Sequence, residues 1–145
     1  MYDDILVPTD GSPAVDRAVD HAVDLAQRHD AQVHALYIVD SSAFSSLEGG
    51  TDAIIEALEE EGHAAVEAVT DAAENAGLDA TSTVRTGTPH TSILEYVEEA
   101  AVDAVVMGTH GRTGLDRMLL GSVAEKVVRH AEVPVMTVHA DGSES

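Results

Sequence analysis

The sequence predicts an α/β fold in three layers, a doubly wound five-stranded parallel sheet with helices on both faces. Two observations carry that prediction. Five short apolar runs are separated by four longer segments whose apolar residues recur at helical spacing. The runs are also mostly continuous rather than alternating, as strands buried on both faces require. Right-handed crossovers through the helices join such strands in parallel.

The first strand spans Asp3 to Thr9 around Ile5, Leu6 and Val7. Asp10-Gly11-Ser12-Pro13 follows, with Ser12 suited to cap a helix and Pro13 to its first position. Val15, Ala18, Val19, Ala22, Leu25 and Ala26 then repeat at helical spacing, and Asp16, Asp20 and Asp24 form an acidic stripe opposite. The second strand, Gln32 to Val39, puts Val33, Ala35, Tyr37 and Val39 on one face. Residues 40–50 are a serine- and glycine-rich loop.

A long helix from Thr51 to Ala76 presents Ile54, Ile55, Leu58, Ala65, Val66, Val69, Ala72, Ala73 and Ala76, and Gly77 stops it. Ala80 to Thr86 reads as the third strand. Thr88 caps and Pro89 opens the next helix, whose apolar face is Ile93, Leu94, Val97, Ala100 and Ala101. Asp103 to Gly108 is the fourth strand. After a glycine-containing loop, a helix from Gly121 to about Ala131 faces inward through Val123, Ala124, Val127 and Val128. The fifth strand is Val133-Pro134-Val135-Met136-Thr137-Val138. Its proline favours a sheet edge, where exposed backbone can pair with a second chain. Residues 1–140 are expected to form one domain, followed by a polar tail over residues 141–145.

Charge narrows the function classes. The chain has 27 Asp and Glu against 7 Lys and Arg, a net charge of −20. That field has the wrong sign for nucleic-acid phosphates or an anionic membrane, so neither is an expected partner. With no cysteine, disulfides, thiolate metal sites and cysteine nucleophiles are excluded. No apolar run reaches the ~20 residues that span a bilayer. The start Met1-Tyr2-Asp3-Asp4 lacks the basic residues of a signal peptide, so the cytoplasm is the expected location. Dense acid with one lysine and few aromatics fits a protein built for a very salty, halophilic cytoplasm, where salt screens the self-repulsion.

In open parallel sheets ligands bind beyond the carboxyl ends of the strands. Attention therefore falls on the loops after strands one, two and four. The loop after strand four carries Gly108, Gly111 and Gly121, which let backbone amides approach a ligand. Gly121-Ser122 opens a helix whose free amides favour an anion. Ser122 either bonds a phosphate oxygen or acts as a plain cap. Four of the seven basic residues, Arg112, Arg117, Lys126 and Arg129, lie close by. The competing reading is a glycine-rich turn with basic residues matching an acidic surface. Neither G-x-x-x-x-G-K-[ST] nor a G-x-G-x-x-G after strand one is present. His21, His29, His34, His63, His90, His130 and His139 show no metal spacing and read as solvated or partly buried.

The spacing G-x2-G-x9-G-[ST], filled by Gly108, Gly111, Gly121 and Ser122, resembles the ATP-binding signature of the universal stress protein family. Ile5 to Ser12, Gly87-Thr88-Pro89 and Val133 to Val138 resemble other segments of that family, so the resemblance covers nearly the whole chain. It implies a Rossmann-like sheet in the order 3-2-1-4-5 and a homodimer through the last strand. It implies a nucleotide held by Pro8, Thr9 and Asp10 after strand one, with Val39 beside the adenine. Met107, Gly108 and Gly111 would lie along the ribose and phosphates, with His110 and Arg112 as further loop contacts. Gly121, Ser122 and Val123 would cradle the phosphates. Asp10 either contacts a ribose, helps hold a magnesium ion or caps the turn beside Ser12. His110 either donates to a phosphate or packs the loop.

The expected function is a stress or signalling module that binds ATP or another adenine nucleotide, with Mg or Mn as a candidate companion and an unidentified protein as a candidate partner. It would have weak ATPase activity at most, since no residue stands out as a water-positioning base. A slow ATP hydrolase or phosphotransferase is the alternative from a different class. A nucleotide-free dimeric scaffold is the third.

Overall fold

The computed structural model of the chain describes residues 2–41, 51–109 and 122–139, the side chains of residues 51 and 52 excepted. Five strands, β1 (Asp4–Pro8), β2 (Gln32–Asp40), β3 (Ala80–Gly87), β4 (Ala104–Gly108) and β5 (Val135–Val138), form one sheet in the order β3-β2-β1-β4-β5. Every neighbouring pair is parallel. Between them run α1 (Asp16–His29), α2 (Thr51–Asn75), α3 (Pro89–Glu99) and α4 (Ser122–His130). A short 3-10 turn, Pro13–Val15, precedes α1.

Strand alternation divides the interior into two cores. Ile5 and Val7 face one way with Val33, Ala35, Tyr37, Val39 and Val106. There they meet Val19, Ala22 and Ala26 of α1 and Val66, Val69 and Ala73 of α2. Leu6, Leu36, Val105 and Met107 face the other way, onto Ile93 and Val97 of α3 and Ala124 and Val127 of α4. Ile5, Leu6 and Val7 are all 0% exposed, which explains why this strand reads as a continuous apolar run.

Several local expectations are corrected. Ile54 is 40% exposed rather than inward-facing. At 25 residues, α2 extends about 37 Å, longer than the roughly 30 Å of nine-residue β2, so its first turns outrun the sheet. Val128 is 45% exposed, because α4 lies over the last strand and no described element covers its outer flank. Ala101 is exposed beyond the end of α3, with φ of 54°.

Ser12 and Thr88 sit at N-cap positions before a proline, but neither side chain caps. Backbone carbonyls take the first bonds instead, Val15 N–H to Ser12 O at 3.1 Å and Ser92 N–H to Thr88 O at 2.8 Å. Strand five is shorter than expected: Val133 and Pro134 precede it. The Pro134 carbonyl still accepts the Val105 N–H at 2.9 Å, and proline has no N–H to extend the ladder. As its proline foretells, β5 is an edge strand.

Candidate functional site

The strand order reverses at β1, whose neighbours are β2 on one side and β4 on the other. Chains leaving β1 and β4 therefore diverge to opposite faces and leave a crevice at the carboxyl end. Pro8 is buried at the end of β1. Thr9 N–H bonds to Leu36 O at 2.9 Å, which pins the exit to β2.

Two side chains build the following turn. Thr9 Oγ1 accepts the Gly11 N–H at 3.0 Å, and Asp10 Oδ1 accepts the Ser12 N–H at 2.9 Å. Gly11 has φ of 81°, a conformation that side chains disfavour. Of the roles considered for Asp10, the local one beside Ser12 is thus present.

Gly108 ends β4, paired with Val138. Val39 ends up in the α1/α2 core and Met107 in the α3/α4 core, both buried. At the crevice these two positions offer backbone rather than side chain. Ser122 is the first residue of α4 and is exposed, while Val123 is half-buried against the α3/α4 core. The first-turn amides of α4 have no intrahelical partners, the ordinary state of a helix start.

Of the gathered basic residues, Arg129 pairs with Glu125 one turn away, at 3.2 Å on the exposed face of α4. It is therefore held along the helix flank. His110, Gly111, Arg112, Arg117 and Gly121 lie outside the described residues.

Sequence reasoning missed Thr109. It is only 2% exposed, and its N–H bonds to Val138 O at 3.1 Å. Its Oγ1 lies 3.4 Å from His139 Nδ1, and the His139 carbonyl accepts Arg17 Nη1 at 3.1 Å. Thr109, β5 and α1 are thereby tied together just where the glycine-rich loop departs. The signal was a hydroxyl residue between two glycines, eclipsed by the glycines.

Among the described residues one histidine, His34, is buried rather than solvated or partly buried as expected, and it lies elsewhere. His34 Nε2 is 2.9 Å from Asp4 Oδ1, near the amino ends of the strands. His29 packs edge-on against the Tyr2 ring, with centroids 5.0 Å apart. Among the described residues, no group of three or more His, Asp or Glu is placed to hold a metal ion. Nor is any described helix long and apolar enough to cross a membrane.

This architecture has relatives. The model of the universal stress protein family matches residues 1–139. The universal stress protein MJ0531 of Methanocaldococcus jannaschii is 44% identical over 140 residues, which cover 95% of this chain and 82% of that one. The solved structure of protein MJ0577, also of Methanocaldococcus jannaschii, matches with a TM-score of 0.85 at 32% identity, covering 95% of this chain and 96% of that chain. A universal stress protein solved in complex with cAMP matches with a TM-score of 0.75 at 27% identity, covering 97% and 99% of the two chains. By sequence over almost its full length, and by the order of its strands, the chain belongs to the universal stress protein family.

Proposed function

We propose that this protein is an adenine-nucleotide-binding stress-response module that works as a homodimer in the cytoplasm, residues 1–140 acting as one unit. The observation that carries the reading is the pairing of two features at one end of the sheet. A side-chain-locked turn, Thr9 to Ser12, leaves β1, and a helix start at Ser122 completes the spacing Gly108-x2-Gly111-x9-Gly121-Ser122. The cAMP complex of a related protein supports an adenine nucleotide as the ligand class.

In this reading Pro8, Thr9 and Asp10 border the ribose, and the Val39 backbone meets the adenine. Gly121, Ser122 and Val123 present amides and a hydroxyl to the phosphates. Met107, Gly108, His110, Gly111 and Arg112 complete the wall. ATP fits this assignment well, because several amides and basic side chains suit a polyphosphate, with Mg or Mn as its companion. The protein acts by binding, with weak hydrolysis at most. Met136, 41% exposed on edge strand β5, belongs to the dimer surface together with Val133, Pro134, Val135, Thr137 and Val138.

The test is calorimetric titration of ATP in molar salt, with and without magnesium, on the wild type and Gly121→Val. A loss of tenfold or more in the variant is expected. Equal affinity in both proteins, or no binding by the wild type, overturns the assignment. Met136→Lys, followed by sedimentation, should shift the dimer to monomer.

A further inference from the structure

Strand β5 ends the sheet, and no described strand pairs with its outer edge. Two hydrogen bonds show which of its backbone groups face that edge. Val105 N–H donates to Pro134 O at 2.9 Å, and Thr109 N–H donates to Val138 O at 3.1 Å. Successive residues of a strand turn their N–H and C=O to opposite sides. Pro134, Met136 and Val138 therefore face β4, as the pairing of Val105 with Val135 and Met107 with Thr137 requires. Val135 and Thr137 direct theirs outward.

That alternation limits how a second copy can pair antiparallel with β5. Outward groups must meet outward groups, so an axis falling between two residues forms no ladder. An axis at Val135 or at Thr137 opposes that residue to itself and leaves the other without a partner inside the strand. An axis at Met136 pairs Val135 with the partner's Thr137 and Thr137 with the partner's Val135. Each pair then exchanges both of its N–H···O bonds. Met136 meets the partner's Met136 in a non-hydrogen-bonded pair, where side chains approach closest. Met136 is one of three large apolar side chains left exposed among the described residues, and this axis covers it.

Charge agrees with the same axis. Val138 belongs to the α1/α2 core and Val135 packs toward the α3/α4 core, so Met136 emerges on the α1 side. Arg17 lies on α1, and its Nη1 donates to the His139 carbonyl just beyond β5 at 3.1 Å. The arginine–acid pairs among the described residues belong to Arg28, Arg85 and Arg129, and Arg17 is in none of them. With the axis at Met136, His139 stands opposite the partner's Val133, and the partner's Glu132 is next along the chain, about 3.8 Å between Cα atoms. The guanidinium keeps further N–H donors for that carboxylate.

We propose that β5 pairs with a second copy about a two-fold axis at Met136, and that Arg17 grips the partner's Glu132 at each end of the seam. The proposal rests on the homodimer reading above and adds its register and its polar clamp. Two copies of charge −20 repel, and the clamp sets cation against acid where they meet.

The chain has no cysteine, so a single introduced one reports the axis directly. Across a non-hydrogen-bonded pair the Cα atoms stand about 4.5 Å apart, within disulfide range. Under mild oxidation Met136→Cys should cross-link to a covalent dimer at least tenfold faster than Val135→Cys or Thr137→Cys. Faster linking by either neighbour overturns the register. Sedimentation of Arg17→Glu, at the lowest salt that keeps the fold by thermal melt, should show a dimer dissociation constant raised tenfold or more. Arg17→Glu/Glu132→Arg should restore the wild-type value, and failure to restore it overturns the clamp. A wild type that sediments as a monomer overturns the homodimer reading and the seam with it. A dimeric wild type whose Met136→Cys variant stays unlinked overturns the seam alone.

Discussion

The Nδ1 atom of His34 lies 2.8 Å from the hydroxyl oxygen of Tyr96, joining β2 to α3 across the core. The other ring nitrogen is 2.9 Å from Asp4 Oδ1. With Asp4 ionised, Nε2 carries the proton and donates it to the carboxylate, and Nδ1 accepts from Tyr96. Asp103 Oδ2 in turn accepts the backbone N–H of Asp3 and Asp4, at 2.8 and 3.0 Å. The Arg85 guanidinium stacks 5.1 Å from the Tyr96 ring centroid, and its hydrogen bond to Glu99 raises its pKa above the ordinary arginine value.

Tyr96→Phe keeps the ring and removes the donor. Buried Nδ1 then loses its short bond, and the remaining contact, Thr81 Oγ1 at 3.5 Å, is too long to replace it. A loss of about 1–2 kcal/mol is expected from urea unfolding. An unchanged midpoint would show that the contact contributes nothing net.

Ala101 and Gly77 make opposite cases of one conformation. Ala101 has φ of 54°, where a Cβ is unfavourable, and Gly77 has φ of 87°. Ala101→Gly should raise stability by about 0.5–1 kcal/mol, and Gly77→Ala should lower it by a similar amount. Thermal melts of the two variants should move in opposite directions.

Gly62 faces the ring of Tyr37, where α2 crosses β2. A Cβ there would fall 2.6 Å from Tyr37 Cδ1 and 3.0 Å from Cγ and Cε1. Tyr37 is buried, so its ring has little room to withdraw. Gly62→Ala should cost about 1–3 kcal/mol despite the gain in helix propensity. Denaturant titration alongside Gly77→Ala separates this clash from a backbone effect.

Salt should stabilise the fold. The described Arg–acid bridges, Arg28–Asp24, Arg85–Glu99 and Arg129–Glu125, are few, and the first and last are well exposed. Screening them costs little. Repulsion within an excess of 20 acidic charges is the larger effect, and molar salt shortens the screening length to about 3 Å. The melting temperature should rise steadily from 0.1 to 2 M KCl, and a fall would overturn the expectation of a halophilic protein.

Most of the fold was legible because the apolar pattern is strong where the sheet is buried on both faces. Ile5-Leu6-Val7 and the Val33 to Val39 alternation sit as their periods demand. The 3-2-1-4-5 order came from the resemblance, since periodicity does not specify which strands neighbour. Ile54 and Val128 misled because helical period cannot report where a sheet ends. The bond from Tyr96 to His34 was not legible, because the two lie 62 positions apart and meet only through the packing of α3 on β2. At the site, glycine spacing and the Asp10 turn were readable. The buried Thr109 and its ties to Val138 and His139 were not, because strand register creates them.

The two-sided sheet has a thermodynamic consequence. Val66 and Val127 belong to cores separated by a layer of hydrogen-bonded backbone, and they share no side-chain neighbours. Damage on one face is therefore partitioned from the other. Truncations on opposite faces should add almost independently, whereas two on one face can relax into a shared void. The sheet acts as a bulkhead. An event at the carboxyl end that must be felt on both faces has to travel through strand exits such as Thr109, and not through side-chain packing.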